Sequence, residues 1–343
     1  MRMDARKQDI LLAIITDYIA TAEPVGSRTI ARKYRLGISP ATIRNEMADL
    51  EEQGYVEQPH ASAGRVPSDK GYRFYVDELM QVRPLPEAVL ARVRELTESR
   101  VKALEVVLQQ AARLLSAATH SLAVLVGPQV KRMVFRHLDL VPLAADRALL
   151  VVVADVGFLE SGIIEVPPEL TQQELAYVAQ VLTRALQGKT LQGASRAVLR
   201  ELQVELYRYR HILEQALEFL AAVESEETSE RFYLVGVTCL LSEPEFSDRH
   251  RLRAVLSVVE QEEMMRMLLS TRVEESVAVT IGEENPVREG RDLSVVLAPY
   301  RVGNTVGRLA VVGPRRMDYG RAVGAVSEFE KVLSEMLGGW GSV

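Results

Sequence analysis

Apolar side chains recur at helical spacing near the start of the chain and predict three short helices. The first helix carries an apolar stripe from Ile10 to Ile19 and ends before Pro24. The second lies around Ile30, and Gly37, which can adopt a positive φ, supplies the turn after it. This pattern is typical of a small helical domain that turns into a third helix.

The third predicted helix begins at Ser39, an N-cap residue, with Pro40 at the first helical position. Ile43, Met47 and Leu50 fall on one side of this helix. Small and polar side chains fall on the other side, namely Ala41, Thr42, Arg44, Asn45 and Ala48. Asparagine can form two hydrogen bonds with adenine, and arginine can form two with guanine. The second face is therefore a candidate recognition surface for DNA.

A short hairpin is predicted directly after the third helix. Tyr55 begins a strand, residues 60–65 form a small tip, and residues 66–68 return the chain. The aromatic side chains that can pack beneath this hairpin are Tyr72, Phe74 and Tyr75. Three helices followed by a hairpin are the order of a winged helix, whose tip reaches the backbone or the minor groove of DNA. Arg65 is the cation that we expect at this tip.

The remainder of the chain predicts one α+β domain with another inserted in it. Helical spacing extends over residues 87–120, 172–186, 196–222 and 317–337. Strands are predicted at residues 121–127, 133–140, 148–155, 158–166, 232–240, 277–281, 293–300 and 305–312. The leucine seam in the third helical stretch suits either a partner helix or an ordinary core. The predicted fold class is multidomain α+β with an N-terminal winged helix-turn-helix.

The distribution of charge favours a nucleic-acid partner more than the total does. The 343 residues carry a formal net charge of -6, and 48% of them are hydrophobic. Residues 1–83 contain 12 basic and 12 acidic residues, so the remainder carries the whole deficit. Residues 24–44 contain no acid and five cations, namely Arg28, Arg32, Lys33, Arg35 and Arg44. Such a patch suits phosphate contact, although a solvated face has the same composition.

Four segments resemble the family of the heat-inducible transcription repressor HrcA. They are residues 24–30 (PVGSRTI), 39–47 (SPATIRNEM), 60–68 (HASAGRVPS) and 307–319 (GRLAVVGPRRMDY). The resemblance covers essentially the whole chain. It implies a repressor of chaperone (heat-shock) operons that binds an inverted-repeat operator in double-stranded DNA. It also implies a winged helix, a GAF-like domain and a dimerising domain inserted in the GAF-like one.

The resemblance sets the expected domain boundaries and partners. We expect a winged-helix DNA-binding domain at residues 1–83, a linker at 84–95, a GAF-like domain at 96–129 and 228–343, and an inserted dimerising domain at 130–227. A homodimer matches a two-fold operator, because each half-site receives one recognition helix. The resemblance implies that the chaperonin GroEL modulates the repressor by helping it to reach its active form. The expected location is the cytoplasm, without membrane association.

The expected DNA contacts divide into base readout and positioning. Arg44 and Asn45 are predicted to read bases. The residues that suit phosphate or wing contacts, which position the protein without specifying a sequence, are Arg28, Thr29, Arg32 and Arg65. The full set of expected contact residues is Arg28, Thr29, Arg32, Ser39, Ala41, Thr42, Arg44, Asn45, Ser62, Gly64 and Arg65.

Two other functions compete with DNA repression of heat-shock genes. One is an enzyme or a ligand-sensing GAF-type regulator of another operon. The histidines lack zinc-ligand spacing, and residues 303–308 lack the lysine–hydroxyl ending of a phosphate-binding loop. Cys239 falls in a predicted apolar strand, where we expect a buried structural thiol. We therefore expect no catalysis, cofactor or metal.

The other competing function is an interaction protein whose winged helix binds a second protein. The basic patch argues against it, because five cations without an acid favour phosphate over a protein surface.

Overall fold

The computed structural model describes residues 3–98, 104–128, 133–155, 158–191, 202, 209–225, 231–271 and 277–339. In these ranges the chain is a mixed α+β structure with a two-stranded, a three-stranded and a five-stranded sheet. This agrees with the predicted α+β class. None of the helices in the same ranges has the length and apolarity needed to cross a membrane.

The N-terminal unit (residues 3–79) contains the three predicted helices and the predicted hairpin. Its elements are α1 (Ala5–Thr21), α2 (Ser27–Tyr34), α3 (Pro40–Glu52), β1 (Val56–Glu57), β2 (Val66–Pro67) and α4 (Asp69–Phe74), which continues as a π-helical turn (Tyr75–Leu79). The Ser39 hydroxyl caps α3 by accepting a hydrogen bond from the Thr42 N–H at 3.1 Å. Gly37 has a φ of +71°, as the predicted turn requires.

The connection to the rest of the chain contains a helix. Residues 80–86 have no regular secondary structure, and α5 (Glu87–Glu98) begins within residues 84–95, which were expected to form a linker. α6 (Leu104–Thr119) follows, so the predicted helix over residues 87–120 is described as two helices, with residues 99–103 outside the described ranges.

Eight strands and six helices follow α6 in the described ranges. The strands are β3 (Leu122–Val126), β4 (Phe135–Ala144), β5 (Arg147–Ala154), β6 (Leu159–Glu165), β7 (Phe232–Val235), β8 (Ala278–Ile281), β9 (Leu293–Val302) and β10 (Thr305–Pro314). The helices are α7 (Gln172–Leu186), α8 (Arg210–Ser225), α9 (Val237–Leu241), α10 (Arg249–Glu260), α11 (Glu262–Leu268) and α12 (Tyr319–Gly338).

A five-stranded antiparallel sheet in the order β7-β3-β10-β9-β8 forms the centre of the core unit, which also includes α5, α6 and α9–α12. Successive side chains of a strand point to opposite faces, so this sheet has two apolar faces. On β10, Leu309 and Val311 join the cluster that contains α6 and α12. Ala310 and Val312 join the cluster that contains α9, α10 and α11. Helices therefore cover the sheet on both sides.

A second sheet, the antiparallel meander β4-β5-β6, lies between β3 and β7 in the chain. We call it the inserted sheet. α7 packs against β4, and α8 packs against β6. β3 and β7 are nonetheless paired in the five-stranded sheet. The chain therefore leaves the core unit after β3 and returns to it at β7.

Two predicted elements differ from the structure. The predicted strand over residues 232–240 ends at Val235, because Gly236 adopts a φ of +93° and turns the chain into α9. Cys239 consequently lies in a helical turn and is half-buried, not buried in a strand. The predicted helix over residues 196–222 is described only at residue 202 and from residue 209 onward, and this later part corresponds to α8.

Candidate nucleic-acid interface

The outward face of α3 carries the residues that were predicted to read bases. Arg44 and Asn45 are exposed, and so are the small side chains of Ala41 and Ala48. The opposite face of α3 is buried against the rest of the N-terminal unit. The fold therefore holds one side of the helix and leaves the polar side free to approach a groove.

Cations of α1 neutralise two acids of α3. Lys7 Nζ lies 2.8 Å from an Asp49 carboxylate oxygen and 3.8 Å from a Glu46 carboxylate oxygen. The hydrogen bond to Asp49 raises the pKa of Lys7 above its usual value. Arg6 approaches Glu46 at 3.7 Å. These pairs weaken the repulsion that the α3 carboxylates would exert on a DNA backbone.

Four of the five predicted cations of residues 24–44 remain available at the surface. Lys33 does not, because its ammonium contacts the buried Asp17 carboxylate and ties α2 to α1. That hydrogen bond raises the pKa of Lys33. The part of the chain that the structure describes shows no ion pair for the other four, which are all exposed, namely Arg28, Arg32, Arg35 and Arg44. Their charge is free to meet phosphate.

An open polar cleft of about 640 Å³ lies between α2, α3 and the wing, which is the hairpin of residues 55–68. Arg28 and Arg44 line it from the two helices, and Ser62, Gly64 and Arg65 line it from the wing. The cleft thus brings together five of the expected contact residues. The guanidinium groups of Arg28 and Arg44 both suit a DNA phosphate.

The wing is held in one conformation by its own backbone and one amide. The Gln58 side chain donates hydrogen bonds to the carbonyl oxygens of Ala61 at 3.1 Å and Ala63 at 3.0 Å. A Cβ at Gly64 would lie 2.4 Å from the Val25 carbonyl oxygen, so only glycine fits there. Since these contacts lie within the chain, DNA would not have to organise the wing.

Arg65 lies at the base of the wing and not at its tip, which differs from the prediction. The tip is the turn closed by the hydrogen bond from Ala63 N–H to the His60 carbonyl. The Arg65 backbone forms two hydrogen bonds with Val25, each 2.9 Å long. Its guanidinium contacts Glu51 of α3 at 2.7 Å, and its side chain is only 16% exposed. Arg65 therefore fixes the wing against α3.

Sequence reasoning missed Glu51 and Gln58 as residues that hold this interface. Neither has a local signal, since each depends on how the wing folds back on α3. The other expected residues do not line the cleft. The Ser39 and Thr42 hydroxyls share a 2.9 Å hydrogen bond at the start of α3, and Thr29 is half-buried on α2.

Comparison with known proteins identifies the family. A family model described as "HrcA protein C terminal domain" matches residues 105–323. The heat-inducible transcription repressor HrcA of Symbiobacterium thermophilum is 49% identical over 336 residues, which cover 97% of this chain and 98% of that protein. The chain belongs to the HrcA family. An HrcA repressor of Pelotomaculum thermopropionicum is 43% identical over 98% of this chain and 97% of its own length.

The HrcA family consists of proteins named as transcription repressors, which confirms the expectation that the chain is not an enzyme. A crystal structure described as that of a hypothetical protein aligns with 98% of this chain and 99% of its own, with a TM-score of 0.66. Its sequence is 24% identical, so this likeness concerns the fold alone.

Proposed function

We propose that this chain is a heat-inducible repressor of heat-shock genes that binds DNA through α3 and the wing. The observation that carries the proposal is the exposed Arg44 beside Asn45, in a cleft that Arg28 also lines. Family membership supports the same activity. The order of three helices and a hairpin supports a winged-helix DNA-binding domain at residues 1–83.

The proposed contacts follow from exposure and chemistry. With α3 in the major groove, Arg44 reads a guanine and Asn45 an adenine, while Ala41 lets the helix lie close to the bases. Phosphate contacts come from α2 and from the start of α3. The residues are Arg28, Thr29, Arg32, Ser39 and Thr42. Ser62 and Gly64 approach the backbone from the wing, and Arg65 supports them from its base.

We assign the rest of the chain by topology. The five-stranded sheet and its helices support a GAF-like domain at residues 96–129 and 228–343. The inserted sheet with α7 and α8 supports a separate domain at residues 130–227. We propose that this second domain dimerises the protein, and the exposure of its outer face supports this.

The outer face of the inserted sheet carries a group of apolar side chains that are open to solvent. The register places Val141, Leu149 and Ile163 in one row across the three strands. Val141 is 41% exposed and Ile163 is 62% exposed. Leu159 extends the patch along β6 and is 55% exposed. Because contiguous exposed apolar surface marks an interface, we propose that two copies meet on this face.

Sedimentation of one variant and its control tests this dimer. Ile163→Asp should convert the dimer to a monomer, because it places a charge among the apolar side chains of this face. Val306→Asp is the matched control, since Val306 is 55% exposed on β10, outside this face. A monomeric wild-type chain, or a dimer that tolerates Ile163→Asp, would reject this interface.

A salt titration of DNA binding tests the repressor function. The probes are an inverted-repeat operator from upstream of a chaperone operon, its single half-site, and a scrambled duplex. We expect tight binding only to the full repeat, with affinity that falls steeply with salt because several phosphates are contacted. Equal affinity for all three duplexes would contradict specific repression.

GroEL remains the proposed modulator on the strength of the family resemblance. The cytoplasm, where both DNA and the chaperonin reside, is the proposed location. Refolding of the chain with and without GroEL and ATP, followed by operator binding, tests the link. The proposal requires a larger operator-binding fraction with the chaperonin, and an equal fraction in both conditions contradicts it.

A ligand-sensing regulator is the second candidate, and one cavity favours it. This cavity of about 220 Å³ lies between α6, β7 and the inserted sheet, and its lining is mainly apolar. Arg231, the cation that lines it among the described residues, already pairs with Glu105 and Glu160. A change in operator affinity on adding small apolar metabolites would support this candidate.

A further inference from the structure

The N-terminal unit is joined to the core unit by ion pairs on α4. Arg73 makes a bidentate contact with the Glu284 carboxylate, in which Nε donates to Oε1 at 2.9 Å. The same guanidinium donates a hydrogen bond to the Val279 carbonyl oxygen at 2.6 Å. Val279 belongs to the edge strand β8, and Glu284 belongs to the helical turn that follows it. Arg73 therefore holds α4 at this edge of the core unit, and the bidentate contact fixes its orientation.

Asp69, at the start of α4, makes a second contact with the core unit. One carboxylate oxygen accepts a hydrogen bond from Arg315 at 2.9 Å, and the other accepts one from the Glu283 N–H at 2.9 Å. Asp69 retains only 22% of its side-chain exposure. Because Arg315 and the Glu283 N–H each bind one oxygen of the Asp69 carboxylate, the start of α4 has little freedom to rotate.

A third contact holds the end of α1. Arg316 donates a hydrogen bond to the Ile19 carbonyl oxygen at 3.0 Å, while Glu243 and Glu245 neutralise its charge. Its side chain is 13% exposed, so it is largely shielded from solvent. Between the α1 and α4 contacts, the rings of Tyr72 and Tyr319 pack with centroids 5.8 Å apart.

The connecting segment is also bound to the core unit. The Arg83 N–H donates to the Gly320 carbonyl oxygen at 3.0 Å, and the Arg83 side chain pairs with Asp318. A Cβ at Gly324 would lie 2.0 Å from the Arg83 carbonyl oxygen, so α12 presents glycine where the segment crosses it. The connecting segment of residues 80–86 is therefore held on the core unit and does not act as a flexible linker.

We propose that Asp69, Arg73, Arg315 and Arg316 are positioning residues that determine which spacing of DNA half-sites the repressor accepts. They touch no base in this account. They fix the orientation of α3 relative to the core unit, and the dimer then fixes the distance and angle between the two α3 helices. This inference rests on the proposed function, since it needs a dimer and a two-fold operator.

The consequence is a bivalent protein in which each N-terminal unit is held rigidly on its core unit. We call the two N-terminal units of the dimer its arms. Binding of one half-site presents the second α3 helix at a high effective concentration, but only if the second half-site lies where the arms point. One turn of DNA is about 10 base pairs, so a spacer change of two base pairs rotates the second half-site by about 70°. Rigid arms cannot follow this rotation, whereas loosened arms can.

The test compares the wild-type chain with three variants of it on one set of operators. The joint variant is Arg73→Ala with Arg315→Ala. The charge-matched variant is Arg73→Lys with Arg315→Lys, which keeps both charges. The control is Arg253→Ala with Arg288→Ala. It removes two arginines on the surface of the core unit that have no ion pair in the described ranges. The operators are a half-site and inverted repeats whose spacer is changed by up to five base pairs.

For the wild-type and control proteins, we expect at least about a tenfold loss of affinity when the spacer changes by two base pairs. For the joint variant, we expect a loss at the best spacer of about tenfold and a difference between spacers below about threefold. The Lys variant should lie between them. Half-site affinity should stay within about twofold for all three, because α3 and the cleft are unchanged.

A joint variant that keeps the sharp spacing profile would overturn the inference. Wild-type binding without any dependence on the second half-site would instead contradict the proposed dimeric repressor, so the two failures are distinct. Half-site affinity reports whether the N-terminal unit is folded. If the joint variant does not fold, Glu284→Gln weakens the same contact from the core side and must broaden the profile.

Discussion

Replacement of Arg44 separates a recognition residue from a structural one. Arg44 is exposed on α3 and has no ion pair in the described part of the chain. Its removal should therefore change the free energy of unfolding by less than about 0.5 kcal/mol. A bidentate contact with guanine contributes about 1–3 kcal/mol of discrimination. Two half-sites per dimer then give a loss of about 2–6 kcal/mol for Arg44→Ala, or at least about thirtyfold in affinity.

Fluorescence anisotropy at several salt concentrations measures this effect. Arg44→Ala should weaken operator binding and relax the choice of base at one position per half-site. The slope of affinity against salt should change little, because a base contact releases no counterion. Arg28→Ala should instead lower that slope by about two per dimer. Arg288→Ala, an exposed core arginine, is the control for charge alone. Binding of Arg44→Ala within threefold of the wild type would refute this reasoning.

Two further predictions concern stability. Gly64→Ala should cost about 2–3 kcal/mol of stability and weaken operator binding, because its Cβ meets the Val25 carbonyl oxygen at 2.4 Å. Gly339→Ala, where nothing lies within 4 Å, should change neither, and equal melting of both variants would contradict the close contact. Stability should also fall above about pH 10, because burial raises the pKa of Tyr72, Tyr300 and Tyr319. Above that pH the unfolded chain loses tyrosine protons that the folded chain retains, which lowers the free energy of unfolding by up to about 4 kcal/mol per pH unit. Urea midpoints between pH 8 and 11 measure this slope. Tyr300→Phe should reduce the slope by up to about 1.4 kcal/mol per pH unit, and a flat curve would contradict the prediction.

Local signals predicted the recognition helix well. Ser39 and Pro40 set its start, Gly37 supplied the turn, and the apolar spacing separated its buried face from its exposed one. Each of these signals acts over a few residues. The prediction of Arg65 at the wing tip differed from the structure, because the pairing with Val25 joins segments that the local pattern does not connect.

The joint between the units could not be predicted for the same reason. Arg73 and Glu284 are 211 residues apart in sequence, and no sequence pattern around either residue indicates that the two are in contact. Tyr72, Phe74 and Tyr75 were expected to pack beneath the wing. Phe74 does pack against Tyr55 of the wing, whereas Tyr72 and Tyr75 pack against Tyr319 of the core unit. Periodicity indicates which side of an element is buried, but it does not indicate which distant element covers it.

Site-specific crosslinking tests the central claim most directly. A photoreactive group is attached at Asn45→Cys or, as the control, at Val306→Cys, in a Cys239→Ser background that removes the single native thiol. The account predicts that Asn45→Cys crosslinks to one base position in each half-site of the inverted repeat and not to scrambled DNA. It predicts no crosslink from Val306→Cys. Crosslinks of equal yield from both sites, or none from Asn45→Cys on DNA that the protein demonstrably binds, would contradict recognition through α3.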